Sequence, residues 1–253
     1  MKEQIDCLWI QDTLDTMSEE CIKSWIAVGY DVNLHTYSKN DFSSSLKINV
    51  LDANNVIPRN DSINIKSFQS DHWRFNLFKQ NKEAQQKRKI IWLDTDIFLI
   101  RKIPTDIINK TSSQYNNKTG YYKSQKNYKA NIGAMIFDGN EDIDWNKILT
   151  SKNKSTAFES HYLKNWESII TDDYVLPPVA FCPIHWAWAK DLFTQRTFKT
   201  DTKYGISQMY YDDIVNEDYI YGVHLWRSIL RVKGWIVSND SIYKQLTKLH
   251  TEK

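Results

Sequence analysis

Glycine, proline and cysteine are all scarce in this sequence of 253 residues, which has seven, five and three of them. The glycines form neither G-x-G-x-x-G nor a P-loop, which argues against those two ways of binding phosphate. Cys7, Cys21 and Cys182 form neither a C-x-x-C pair nor an even disulfide framework. We therefore expect free thiols in a reducing compartment, and so a cytoplasmic protein.

Long apolar runs and a strong charge of one sign are also missing. No stretch reaches the length of a membrane span, and the N-terminus is charged where a signal peptide would be apolar. We expect no transmembrane segment, but peripheral association at the inner face of a membrane is compatible with the sequence.

A net charge of +2 gives no reason to expect nucleic acid as a partner. No linker or repeat divides residues 1–253, so we predict one domain.

The N-terminal part alternates strand and helix patterns. Residues 5–10 and 31–37 have the patterns of strands, and a capping box at Thr16 and Glu19 with a terminator at Gly29 predicts a helix between them. A β-α-β start favours an α/β fold with a parallel, doubly wound sheet. Ligands bind at the carboxyl ends of strands in such sheets.

Further elements follow from the same patterns. Residues 105–130 are polar and are predicted to form irregular hairpins or a loop over the site. Residues 174–188 are too rich in proline for a central strand and are predicted to be extended. Strands are predicted at 46–51, 90–100, 131–137 and 219–226, and helices at 67–82, 156–170 and 240–253.

Residues 90–100 contain the two most informative side chains. A buried strand pattern leads into Asp94 and Asp96, and carboxylates at such a place are costly unless something compensates them. Mg²⁺ or Mn²⁺ would compensate both, since these ions take carboxylates together with phosphate oxygens of a substrate. The two aspartates share a face in a regular strand, and a turn would also let both approach one cation. We predict a metal–phosphate site here; the alternative is a solvated acidic turn.

Four stretches carry a resemblance to a known family. Ser70–Arg74 (S-D-H-W-R) and then Ile91–Asp96 (I-W-L-D-T-D) resemble the GT-A glycosyltransferases of the DXD sugar-binding group. That group contains the Och1-type mannosyltransferases, the α-1,4-glycosyltransferases and the glucosylating toxins. Leu8–Ile10 is similar to the family's first strand, and Val223–Trp226 is similar to its C-terminal closing element. The sequence departs from many members at Lys87–Lys89, where they have two glycines.

The resemblance implies a Rossmann-like mixed sheet flanked by helices. Residues 1–104 would be the nucleotide-binding half, and residues 105–253 the acceptor-side half with the closing element. The implied activity moves a sugar from a nucleotide-sugar, with UDP favoured over GDP, to a hydroxyl of a glycan or lipid-linked glycan, with retention. The setting implied by association is bacterial surface polysaccharide synthesis.

The resemblance also assigns roles to residues. Asp94, Asp96 and His224 would bind the metal, and an imidazole suits Mn²⁺ better than Mg²⁺. Asp71 and Arg74 would contact sugar and phosphate oxygens of the donor and, with Asp96, form the catalytic set. The alternatives are a helical ion pair for Asp71 and Arg74 and a buried core histidine for His224.

The remaining donor contacts are aromatic, apolar or amide side chains. Trp9 would stack on the base beside Ile10, with core packing as the alternative. Asn131 would reach the donor sugar or the acceptor, unless it is a turn residue, and Trp226 would close over the diphosphate. For His185 and Trp186, packing is preferred over a role in binding the acceptor.

Two other functions fit part of the pattern. A haloacid-dehalogenase-like phosphatase also has an apolar strand that leads into D-x-D, but its motif is usually N-terminal, and Phe98 occupies a position that favours Thr or Val there. A non-catalytic sugar-binding module is the second alternative. The intact set Asp71, Arg74, Asp94, Asp96 and His224 argues against it.

Overall fold

The computed structural model describes residues 3–40, 42, 46–115, 128–150, 154–155, 160–184, 188–202 and 205–251. The strands in this part of the chain are β1 (Gln4–Trp9), β2 (Asp31–Thr36), β3 (Asn49–Asp52), β4 (Ile90–Leu93), β5 (Ile97–Leu99), β6 (Lys110–Tyr115), β7 (Tyr128–Phe137), β8 (Thr197–Thr202), β9 (Gly205–Tyr210) and β10 (Gly222–His224). The helices are α1 (Thr16–Ala27), α2 (Lys66–Glu83), α3 (Trp145–Thr150), α4 (His161–Ile169), α5 (Ala189–Thr194), α6 (Tyr211–Asn216), α7 (Arg227–Lys233) and α8 (Ile242–Lys248).

A mixed sheet of six strands forms the centre, in the order β3-β2-β1-β4-β7-β6. The first four strands run parallel, while β7 is antiparallel to β4 and β6 is antiparallel to β7. The prediction of an α/β mixed sheet flanked by helices is confirmed. Segment 105–130 was predicted to form irregular hairpins or a loop over the site. Its described part contains β6 and the start of β7, which pair antiparallel at the edge of the sheet with a shift in register between Thr111 and Ser113.

The predicted strand 90–100 is two strands in two different sheets. After β4 the chain turns through residues 94–96, and β5 then pairs antiparallel with β10. The Asp94 N–H donates to the Gly133 carbonyl at 2.7 Å, and the Ile97 N–H donates to the Asp94 carbonyl at 3.0 Å. The apolar sequence pattern does not reveal the turn between β4 and β5, because both strands are buried. The turn lets the two aspartates approach one point.

Helix α1 ends as predicted but begins differently. Asp15, not Thr16, is the N-cap, and its side chain accepts a hydrogen bond from the Ser18 N–H at 2.9 Å. The predicted capping box is therefore wrong. Gly29 follows the helix with φ +101°, a conformation that favours glycine. Trp25 ties α1 to β5 because its Nε1 donates to the Ile97 carbonyl at 2.7 Å.

Two apolar clusters cover the two faces of the central sheet. Successive residues of β4 alternate between them: Ile91 and Leu93 join α1, α5 and α8, while Ile90 and Trp92 join α2, α3 and α4. The second cluster is rich in aromatic rings. Phe75 and Phe78 of α2 are buried there, whereas Phe68 is partly exposed at the start of the helix.

The C-terminal part was only partly predicted. Predicted strands 219–226 and helix 240–253 correspond to β10 and α8, and helix 156–170 corresponds to α4, which Ser160 caps. Residues 156–159, the start of the predicted helix, lie outside the described residues. Short 3-10 turns at 172–174 and 178–180 interrupt the segment predicted to be extended. No helix or strand was predicted between residues 189 and 218, where the structure has α5, β8, β9 and α6.

None of the described helices is long and apolar enough to cross a membrane.

Candidate metal and donor site

The three residues predicted as metal ligands lie together beyond the carboxyl end of β4. Asp94 and Asp96 stand in the turn between β4 and β5, and His224 ends β10, where it is paired in register with Ile97. One carboxylate oxygen of each aspartate and one ring nitrogen of His224 lie within 4.8 Å of one another. Residues far apart in sequence thus meet because β10 pairs with the strand that follows the aspartates.

Asp96 is held from two sides. Its Oδ1 lies 3.2 Å from Nε2 of His224, and its Oδ2 accepts a hydrogen bond from the backbone N–H of Arg227 at 3.0 Å. Its own carbonyl accepts from the Leu225 N–H at 2.8 Å. Burial alone would raise the pKa of Asp96, but His224 and Arg227 outweigh burial and lower that pKa to about 2. Asp96 is therefore a carboxylate at every physiological pH.

His224 is oriented by its neighbours so that Nε2 faces the aspartates. Its Nδ1 lies 3.8 Å from the Cys182 Sγ, and its ring stacks on Trp226 with centroids 4.0 Å apart. Burial lowers the pKa of His224, but the Asp96 carboxylate and the contact with Cys182 hold it well above the usual value. A cation that takes Nε2 would therefore displace a proton, so cation binding would strengthen as the pH rises.

Arg74 of α2 holds Asp94 in place. Its Nη2 lies 2.9 Å from Asp94 Oδ1 and 3.3 Å from Asp71 Oδ1, and its Nη1 donates to the Ile132 carbonyl. The Trp92 Nε1 also donates to Asp94 Oδ1, at 3.0 Å. Burial raises the pKa of Asp94, the Arg74 cation opposes this, and the net pKa is above the usual value. One guanidinium thus compensates two aspartates.

Asp71 contacts Arg74 and the start of α4. Its side chain forms an ion pair with Arg74 and accepts a hydrogen bond from the hydroxyl of Ser160, the N-cap of α4. Burial raises its pKa to about 6, against the opposing effects of Arg74 and Ser160. Asp71 therefore links α2 to α4.

The donor atoms fit a divalent cation of intermediate hardness. Two carboxylate oxygens and one imidazole nitrogen are ligands that Mn²⁺ accepts readily. The turn 94–96 is braced by Arg74 on one side and by the Arg227 N–H on the other, so the ligands are positioned by groups that are not themselves ligands. These residues can hold one cation with open positions for oxygens of a substrate.

Comparison with known proteins relates the chain to glycosyltransferases. Residues 152–251, which include His224, match the model of the alpha 1,4-glycosyltransferase conserved region. The whole chain aligns with 50% of the bifunctional glycosyltransferase WbbM at 8% identity and a TM-score of 0.51, which shows the shared fold. The chain has a GT-A glycosyltransferase fold, and its residues 152–251 are similar to a glycosyltransferase region.

Other solved glycosyltransferases align with this chain at lower TM-scores. The galactosyltransferase LgtC is 12% identical over 68% of this chain and 72% of its own, with a TM-score of 0.40. A glycosyltransferase involved in glycosylation of the major capsid of PBCV-1 is 12% identical over 70% of this chain and 82% of its own, with a TM-score of 0.38. No curated protein matches the chain by sequence.

The remaining predicted site residues differ in their exposure and contacts. Trp9 is only 2% exposed, and the Arg227 guanidinium covers its ring at 4.7 Å from the centroid. Ile10, just after β1, is partly exposed. Trp226 is buried at the start of α7, where its Nε1 donates to the Ile184 carbonyl at 2.9 Å. His185 and Trp186 lie outside the described residues.

Asn131 lies on β7 next to the turn that carries Asp94. Its Oδ1 accepts a hydrogen bond from the Gly133 N–H at 2.7 Å and lies 3.2 Å from the Ser112 hydroxyl. A Cβ on Gly133 would lie 2.8 Å from that oxygen and 3.4 Å from Cε1 of His224. Gly133 therefore permits the close approach of β7 to the cluster.

Sequence reasoning missed the residues that brace the site. Arg227, Cys182, Gly133 and Ser160 each contact a predicted site residue. Arg227 directly follows the Val223–Trp226 stretch, so its place in the chain was a usable signal. The other three come from segments with no motif, and their contacts depend on tertiary packing.

Proposed function

We propose that the protein transfers a sugar from a UDP-sugar to a hydroxyl of a glycan or lipid-linked glycan, with Mn²⁺ in preference to Mg²⁺ as the cofactor. The observation that carries this proposal is the cluster of Asp94, Asp96 and His224 within 4.8 Å of one another. The bound cation would stabilise the charge that develops on the diphosphate as the glycosidic bond breaks. The wider role that fits this activity is bacterial surface polysaccharide synthesis at the cytoplasmic face of the membrane.

In this proposal Asp94, Asp96 and His224 hold the cation. Asp96 is ionised throughout the working pH range because its pKa is about 2. The Arg227 N–H fixes its second oxygen, so the first oxygen and Nε2 of His224 face the same point. The stacking of His224 on Trp226 links the closing segment to the metal site.

Arg74 acts through Asp94. Its side chain is 3% exposed, and it already contacts two carboxylates, the Ile132 carbonyl and the Ser70 hydroxyl. Direct contact with the donor, which the sequence suggested, would require it to exchange one of these partners. We assign Arg74 the role of positioning Asp94, and Asp71 the role of positioning Arg74.

The base of the donor is assigned to the carboxyl end of β1, beside Trp9 and Ile10. Stacking on Trp9 requires the Arg227 side chain to leave the indole ring and its partner Asp15, which lies 2.6 Å from Arg227 Nη1. Once it has left the indole ring, the Arg227 guanidinium is well placed to bind the diphosphate of the same donor. Asn131 and Trp226 complete the proposed donor contacts.

A thermal-shift series with Mn²⁺ and UDP- or GDP-sugars tests the donor proposal. Ligand that binds only the folded protein raises the melting temperature. We expect Mn²⁺ with a UDP-sugar to raise it by several degrees and a GDP-sugar to do so less. An equal shift for both bases would contradict the UDP assignment. Retention is tested separately, from the anomeric configuration of the first-formed product.

The whole chain acts as one domain in this proposal. Residues 1–104 supply the aspartates, and residues 105–253 supply His224 and the Arg227 N–H, so neither half contains the complete site. The match to a glycosyltransferase region favours transfer over phosphatase chemistry. Release of phosphate from simple phosphomonoesters would support the phosphatase alternative, and no effect of Mn²⁺ with any nucleotide-sugar would support the sugar-binding alternative.

A further inference from the structure

Helix α7 and the residues just after it carry the most exposed large apolar side chains of the described residues. Val232 is 79% exposed and Ile236, just beyond the helix, is 88% exposed. Arg231 and Lys233 are exposed on either side of Val232. We call Arg231, Val232, Lys233 and Ile236 the α7 patch.

The patch is anchored firmly from its inner side. The Gly234 N–H closes the helix on the Leu230 carbonyl at 2.8 Å, and the Ser238 N–H donates to the Phe193 carbonyl at 2.7 Å. Trp235, between Lys233 and Ile236, packs near Phe193 with ring centroids 6.5 Å apart. These contacts join the inner side of the patch to the core, while the side chains of Val232 and Ile236 are exposed.

Positive charge is concentrated in this part of the chain. Residues 1–226 contain 27 basic and 29 acidic residues, whereas residues 227–253 contain six basic and two acidic ones. Within the described residues, Arg231 and Lys233 form no ion pair with an acidic side chain. Apolar side chains flanked by unpaired cations match the interface of an anionic bilayer, which accepts both.

We propose that the α7 patch docks the protein on an anionic lipid bilayer. A second copy of the chain is a poorer occupant, because a symmetric contact would bring four cations of two α7 patches together. The helix begins at Trp226 and Arg227, which contact His224 and Asp96. At about 1.5 Å per residue, Val232 lies roughly 8 Å along the helix from Arg227, so docking would hold the site near the membrane surface.

This inference extends the proposed function, since a docked enzyme would meet a lipid-linked acceptor at the surface. Its test does not require donor, acceptor or activity. Co-sedimentation of the full chain with phosphatidylcholine vesicles, with and without phosphatidylglycerol, measures docking directly. We expect binding to the anionic vesicles, and weaker binding as the salt concentration rises.

Two variants separate charge from apolar contact. Each cation near an anionic surface contributes about fivefold to binding, so Arg231→Gln with Lys233→Gln should weaken it by about 25-fold. Val232→Ser with Ile236→Ser should weaken it by about tenfold or more. Ile65→Ser with Lys66→Gln changes a matched exposed pair at the start of α2 and should leave binding unchanged.

Equal binding of the wild type to neutral and anionic vesicles, or no effect of the two patch variants, would overturn the proposal. A dimer in sedimentation velocity that Val232→Ser with Ile236→Ser dissociates would also overturn it, because the patch would then be an interface between copies. The melting temperatures of the variants check that they fold. Loss of donor binding in the thermal-shift series would refute the proposed function and leave the docking result intact.

Discussion

Nη2 of Arg74 lies 2.9 Å from Oδ1 of Asp94, and this contact joins helix α2 to the turn that carries both aspartates. The guanidinium also contacts Asp71 and lies over the Trp92 ring, 4.7 Å from its centroid. Arg74 therefore sets the position of Asp94 relative to the sheet. The consequences can be measured.

Arg74→Lys should lower the transfer rate by about tenfold or more and destabilise the fold by about 1–3 kcal/mol. A lysine ammonium cannot serve Asp71, Asp94 and the Ile132 carbonyl with the fixed geometry of a guanidinium. Rates at saturating donor and urea unfolding check both effects. Arg59→Lys is the matched control, because Arg59 pairs with Asp61 in an exposed position. Similar behaviour of the two variants would contradict the positioning role.

Asp71 should make stability fall as the pH rises from about 4 to 7. Its pKa is about 6 in the folded protein and close to 4 when unfolded, so the folded state binds the proton more tightly. The stabilising contribution of Asp71 is complete below its unfolded pKa. As the pH rises past its folded pKa, this contribution is lost, and the total loss is about 3 kcal/mol.

The variant Asp71→Asn isolates this effect, since the amide cannot titrate. The difference in unfolding free energy between wild type and variant should change by about 2–3 kcal/mol between pH 4 and pH 7. Other groups titrate in both proteins and cancel in that difference. Asp61→Asn, an exposed control, should show little change. If the difference in unfolding free energy between wild type and Asp71→Asn does not change with pH, burial does not raise the pKa of Asp71.

Gly133→Ala should disturb the site more than the fold. The added Cβ would lie 2.8 Å from Oδ1 of Asn131, so that side chain must shift and release the Gly133 N–H. We expect a fall in transfer rate of about tenfold. In an Asn131→Ala background the clash is gone, so the same substitution should cost less. Additive effects in this double-mutant cycle would contradict the proposed contact.

Cys182→Ala should weaken Mn²⁺ binding by about tenfold, because Nδ1 of His224 loses the neighbour that lies 3.8 Å away. Cys182→Ser keeps a hydrogen-bonding group and should restore much of the affinity. Titration followed by Mn²⁺ electron paramagnetic resonance measures the affinity without any turnover. Equal affinity for Ala and Ser variants would show that Cys182 only fills space.

The sequence predicted the central elements well because local patterns determine them. The strand–helix–strand start, the helix with Phe75 and Phe78, and the late strand at His224 all follow from periodicity or from terminators such as Gly29. The break between β4 and β5 did not, because a buried turn flanked by two buried strands has the same apolar pattern as one long strand. Asp15 as N-cap differs from the prediction by one residue, a usual error for helix ends.

The site was predicted mainly through resemblance. Spacing alone favoured a cation at Asp94 and Asp96, but nothing local places His224 beside them; the β5–β10 pairing does. The burial of Arg74 and the cover of Arg227 over Trp9 are tertiary effects that single-sequence patterns do not encode. Whether Trp9 contacts the base therefore depends on a side chain that the family motifs do not include.

The most direct test of the central claim is Mn²⁺ binding to the wild type, Asp96→Asn and His224→Gln, measured by electron paramagnetic resonance with UDP present. Both variants are close in size to the wild-type residues, and their melting temperatures check the fold. We expect binding by the wild type and a loss of affinity of about 100-fold or more in Asp96→Asn, with a smaller loss in His224→Gln. Wild-type affinity in both folded variants would contradict a metal site at Asp94, Asp96 and His224.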